Sequence, residues 1–180
     1  FSFADFGKEV LSGAVTGGLA SAAFYGAGKA VQALAGSIWS NSNNAMPGTS
    51  KLVGAGEGER FGVYASKATP IEGYTDVIVH GAPPNQVGVM HNGEWSYLNQ
   101  RSLANFLKQD GGYTGGPIRL ISCGTGSTPN GFAQNLANKM GVEVMAPSDI
   151  IWAFPNGKLT IGPEQYSNTG QWNIFVPGNH

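Results

Sequence analysis

Two apolar runs constrain this chain more than any other feature. Thr75-Asp-Val-Ile-Val79 and Pro117-Ile-Arg-Leu-Ile-Ser122 are nearly continuous in branched aliphatic residues, without the in-and-out alternation of a half-exposed strand. A strand that shows neither face to water reads this way, and such strands belong to parallel sheets covered on both sides. Each run stops at a chemically distinctive pair, His80-Gly81 and Cys123-Gly124. Between them, Val87 to Met90 and Glu94 to Tyr97 predict a hairpin over His91-Asn92-Gly93, whose Asn-Gly pair is a strong turn signal. Asn99 or Ser102 then starts a helix with Leu103, Phe106 and Leu107 on one face. Beyond Cys123, Asn130 is expected to cap a helix from Gly131 to Met140, which Gly141 ends. A third strand is expected over Val142 to Ala146. Trp152 to Phe154 and Lys158 to Ile161 read as a hairpin, and Gln171 to Val176 as a last strand. Strands alternating with helices predict an α/β fold with a mostly parallel sheet, whose sites gather beyond the carboxyl ends of the strands.

The rest of the 180-residue chain divides by composition. Residues 1–36 form a Gly/Ala-rich, almost uncharged leader that reads as helical, with small residues every fourth position (Gly13, Gly17, Ser21 and Gly18, Ala22, Gly26, Ala30). That spacing lets a neighbouring backbone approach closely, so a packed hairpin, a membrane contact through residues 10–30 and a disordered lead-in are the three readings. It lacks the basic stretch of a signal peptide. Residues 37–50 are rich in Ser, Asn, Pro and Gly and read as a linker. Residues 51–180 read as one α/β domain. A net charge of −1 provides no basic stripe for phosphate neutralisation, so nucleic acid is not an expected partner. One cysteine excludes an internal disulfide framework, and His80, His91 and His180 lack metal spacing, so neither a metal nor another cofactor is expected.

That leaves Cys123 and His80, which stand 43 residues apart at the ends of two strands. A lone buried cysteine or histidine usually fills core. Both at strand ends, each followed by glycine, points instead to a nucleophile and its base. A thiol is mostly protonated at neutral pH, and a nearby imidazole takes its proton as it attacks. Glycines after each residue allow backbone N–H groups to approach a developing oxyanion, which makes Gly81 and Gly124 candidate donors.

DVIVHG (Asp76 to Gly81) and IRLISCGTGS (Ile118 to Ser127) resemble clan CD cysteine peptidases, the group of caspases, gingipains and legumain. The similarity is greatest to the autoprocessing domains of large clostridial and RTX toxins, and runs from about Thr75 to Val176. The resemblance implies a caspase-hemoglobinase three-layer sandwich, peptide-bond hydrolysis with His80 as acid/base and Cys123 as nucleophile, and a protein substrate. It adds the Cys123 N–H to that of Gly81 as an oxyanion donor. It also implies a pocket for the residue before the cleaved bond, here Ser122, Asp149, Ile151 and Trp152. Asp149 would select a basic residue and Ile151 with Trp152 an apolar one; the apolar side is favoured, because Asp149 follows Pro147-Ser148 and suits a turn.

The chain departs from those proteases in two ways. The acidic residue that orients their histidine has no sequence match, leaving Glu57, Glu59, Asp76 and Asp149 as weak candidates. The scattered ten Lys and Arg do not suit the inositol hexakisphosphate that activates the toxin proteases. The leader FGKEVLSGAVTGGLASAAFYGAGK resembles the segment before the variable C-terminal domain of Rhs and other polymorphic toxins. With it come the expectations of secretion, action in the target-cell cytoplasm and a cognate immunity protein. A deamidase or acyl transferase using the same Cys-His pair is the alternative within this chemistry, and a non-enzymatic membrane-inserting segment the alternative outside it.

Overall fold

The computed structural model describes residues 40–43, 50–55, 59–82, 85–91, 94–109 and 112–178. The leader, with the expected membrane contact at residues 10–30, lies outside these, as do Glu57 and His180.

The two apolar runs become adjacent parallel strands. β1 (Ser40–Asn43) and β2 (Ser50–Val53) lead to α1 (Arg60–Ala65) and β3 (Thr75–Ile78). Next come β4 (His80–Ala82), β5 (Gln86–His91), β6 (Glu94–Asn99), α2 (Gln100–Gln109) and β7 (Ile118–Ile121). α3 (Phe132–Met140), β8 (Val144–Pro147), β9 (Ile151–Ala153), β10 (Leu159–Ile161) and β11 (Trp172–Phe175) complete the described chain. The main sheet runs β1-β2-β3-β7-β8-β11, parallel through β2, β3, β7 and β8 and antiparallel at both edges. This is a mixed α/β fold with few helices. β4-β5-β6 and β9-β10 are separate small antiparallel sheets.

The period of two along each strand divides the core. Val77, Val79, Ile118 and Leu120 join α2, α3 and the β5-β6 hairpin in one apolar cluster. Ile78 and Ile121 face the other way, into a smaller cluster with Ala65, Ile151 and Ile161. Both central strands are buried on both sides, as their unbroken apolar pattern requires. Asp76 and Arg119 interrupt the apolar runs and are buried too, joined by a bidentate pair of 2.7 and 2.6 Å. Lys51 stands beside Asp76 in register, and its ammonium donates to the carbonyls of Ser66 and Ala68, both at 2.6 Å. Arg119 donates also to Thr69 O at 3.0 Å, so this charged row anchors the segment that follows α1.

Three local expectations change. The linker contains an ordered strand: Ser40–Asn43 pairs antiparallel with β2, because an edge strand needs only backbone groups and tolerates a polar sequence. Asn130 does not cap α3; Gly131 is the N-cap, without a side-chain bond, and Gly141 ends the helix in the left-handed region as expected (φ 70°). Of the two expected starts of α2, Asn99 is the one used, its side-chain oxygen accepting from Ser102 N at 2.9 Å. The run expected to continue to Val79 also leaves the sheet early, and His80 opens β4, which pairs with β5 instead.

Candidate active site

Ile78 and Ile121 are partners across β3 and β7, and Val79 N still donates to Ile121 O at 3.2 Å where the ladder ends. His80 and Cys123 follow that pair two residues on along each chain, just past the two strands. Gly81 makes this approach possible. A Cβ there would fall 2.9 Å from the Cys123 carbonyl carbon and closer still to its oxygen. The glycine is therefore required by the close passage of the two strand ends, whatever its N–H does in catalysis.

His80 and Cys123 line one cleft of about 210 Å³, with Glu59, Arg60, Phe61 and Tyr64 on the α1 side. Ile150, Ile151, Trp152, Ala153 and Gln165 form the opposite side. The two walls are tied together at one end. Lys67 Nζ donates to Pro155 O at 3.1 Å, and the β9-β10 turn packs Gly157, at φ 84°, against the Lys67 backbone.

Glu59 is the carboxylate at the histidine. Its Oε2 lies 3.3 Å from His80 Nε2 and also accepts from Gly62 N at 3.1 Å, capping α1. Burial pushes its carboxyl upward, but the bonds from His80 and from the Gly62 and Phe61 N–H groups outweigh that and hold it below its ordinary value. Two aromatic rings flank the imidazole, Phe61 at 4.9 Å between centroids and Trp95, from β6, edge-on at 5.1 Å. Spacing could not single out Glu59 among four weak candidates, because its contact with His80 spans 21 positions. The usable local signal was an acidic residue immediately before a short amphipathic helix, the place of an N-cap.

Cys123 is partly buried, and its Sγ lies 3.7 Å from Ile151 O. Burial pushes the thiol up to about 11; the Ile151 contact and its own backbone N–H oppose this, and the Asp149 charge adds to it.

The other expected site residues separate into two groups. Ile151 and Trp152 line the cleft, and the indole is fixed by donating to Gly162 O at 3.0 Å. Ser122 and Asp149 do not line it. Ser122 is fully buried, because one residue along a strand turns the side chain to the opposite face from Cys123. Asp149 turns back to accept from Ile150 N at 2.7 Å, the turn role that its Pro-Ser context allowed. Gly124 is not a free oxyanion donor, since its N–H is spent on Asp149 O at 2.9 Å. Its φ of 65° instead explains the glycine. Among the described residues no helix is long and apolar enough to cross a membrane.

No curated protein and no solved structure matches the chain. A family model described as a domain of unknown function, DUF8616, matches residues 28–161, which takes in β1 through β10 and with them Glu59, His80 and Cys123. The chain belongs to the DUF8616 family.

Proposed function

We propose that this domain is a cysteine peptidase of the caspase-hemoglobinase type, in which Glu59, His80 and Cys123 act together. What carries the reading is the placement of the only cysteine and a carboxylate-held histidine in one cleft, at the ends of two neighbouring parallel strands. Cys123 Sγ attacks the carbonyl carbon of the scissile amide while His80 takes the thiol proton. The tetrahedral oxyanion collapses to a thioester as His80 returns that proton to the leaving amine. Water, deprotonated by His80, then releases the acid and the free thiol. Glu59 orients the imidazole and compensates its transient positive charge, and the N–H groups of Gly81 and Cys123 are the assigned oxyanion donors.

The apolar lining by Ile150, Ile151, Trp152 and Phe61 supports an apolar residue before the cleaved bond; Asp149 is outside the lining, and the carboxylate that does line the cleft, Glu59, is engaged with His80 and Gly62 N. The leader's resemblance to polymorphic toxins extends the proposal to an effector silenced by an immunity protein over the cleft. The test is incubation with a peptide library and with an acyloxymethyl ketone carrying an apolar residue, read by mass spectrometry. Cleavage and labelling at Cys123, both lost in Cys123→Ala and His80→Ala, are expected. Glutamine-to-glutamate conversion without chain cleavage would replace the peptidase with a deamidase. Cytosolic expression in bacteria tests the effector role, with growth arrest expected from the wild type and not from Cys123→Ala.

A further inference from the structure

We propose that the cleft selects an extended peptide bearing a carboxylate within two residues of its buried apolar side chain, and that Arg60 is the residue that selects it. The inference rests on the peptidase reading of the same cleft and adds the substrate class.

Besides the Cys123 thiol and the Tyr64 phenol, the lining carries one acidic and two basic side chains: Glu59, Arg60 and His80. Glu59 and His80 are engaged with each other, and Glu59 also accepts from Gly62 N. Arg60 is an exposed residue, and no carboxylate among the described residues pairs with it. Its position at the start of α1 does nothing for the helix, whose dipole favours carboxylates there. Lys67, the next cation along this wall, is outside the lining and donates to Pro155 O. Gln165 also lines the cleft, and its exposed amide can accept or donate. Among the described residues the cleft therefore offers a peptide an apolar lining, the engaged Glu59–His80 pair and one guanidinium without a carboxylate partner. A neighbouring Glu or Asp side chain satisfies that guanidinium, whereas a Lys side chain meets repulsion. Arginine also holds carboxylates through paired N–H bonds, and the low-polarity wall beside it strengthens the attraction relative to open water.

The test uses fluorogenic peptides identical except for Glu, Gln or Lys at the positions flanking an apolar residue, assayed with the whole chain. The Glu peptide is expected to exceed the Gln peptide in kcat/KM by about two- to fivefold at low salt, and less at high salt. Arg60→Gln collapses that ratio towards one, and Arg60→Glu places the Lys peptide first. Arg101→Gln, an exposed arginine on α2 outside the cleft, keeps the wild-type ratio. A wild-type ratio near one, or a preference that survives Arg60→Gln, overturns the proposal while leaving the peptidase reading in place. Hydrolysis of none of the peptides, with Cys123 unlabelled by the ketone, removes the peptidase reading and this inference with it.

Discussion

With its thiol pushed up to about 11, Cys123 carries a thiolate in only about one molecule in ten thousand at pH 7. The proton must then leave during attack rather than before it, which is the task assigned to His80. Alkylation of the free protein by iodoacetamide is expected to accelerate about tenfold per pH unit from 7 to 10 and to level off near 11. A plateau already reached by pH 8 would mean that the thiolate is pre-formed. The same shift makes folding stability fall between about pH 8.5 and 11, because the unfolded thiol ionises first. Glu59 shifts in the other direction. Its contact with His80 stabilises the fold above the ordinary carboxylate value and is lost as pH falls through the lower folded value. Glu59→Gln is expected to reduce kcat/KM about tenfold to a thousandfold, with KM little changed. The stability gap to wild type, followed by urea denaturation, should close below about pH 4.

Among elements, the crossing of β4 over the end of β7 is the tightest joint in the site. Gly81→Ala places a methyl group against the Cys123 carbonyl, where only backbone could yield. A loss of about 1–3 kcal/mol is expected in chemical denaturation, together with loss of Cys123 labelling as the strand ends separate. The row Lys51-Asp76-Arg119 sets the position of α1 from below, since two of its members hold the carbonyls of Ser66, Ala68 and Thr69. Burial lowers the Lys51 pKa, with Arg119 adding to the effect and Asp76 opposing it. Arg119→Met leaves Asp76 buried without its bidentate partner and should cost about 3–5 kcal/mol, whereas adding Asp76→Leu should recover part of that loss. Urea denaturation of the single and double variants checks both. Little of this row was legible in the sequence. Asp76 and Arg119 stood out only as single charges inside apolar runs, and Lys51 marked nothing but the end of a polar stretch. Their partnership depends on strand order, which no one of the three segments encodes.

Over the whole molecule, the two apolar clusters lie back to back across the main sheet, and the cleft opens on the side of the smaller one. β3 and β7 are buried along their full length, while α1 and β9-β10 pack on the smaller cluster, joined by the Lys67–Pro155 tie, with Lys51 and Arg119 holding the segment after α1. Amide exchange is therefore expected to be slowest in Thr75–Ile78 and Ile118–Ile121. α1 and β9 should open earlier and together, so that the cleft walls loosen without global unfolding. Equal protection of the cleft walls and the central strands would show that the smaller cluster has no separate opening. Lys67→Ala, which removes the tie, should speed exchange in both walls and leave the central strands unchanged.

Local pattern by itself determined the central strands, the apolar faces of α2 and α3, the hairpins and the position of His80 and Cys123 two residues beyond the central strands. These are properties of periods of two and 3.6 and of turn residues, which a single segment contains. Tertiary structure alone decided which carboxylate meets the histidine, because Glu59 reaches His80 through the placement of α1 against the sheet. It decided that Gly81 is demanded by the Cys123 carbonyl and that the Gly124 N–H is already used. It also drew a polar, low-complexity stretch into the sheet as β1. Each of these depends on atoms brought together from distant segments. The physical reason is that a pleat fixes which side of a strand a residue takes, while packing fixes what it meets there.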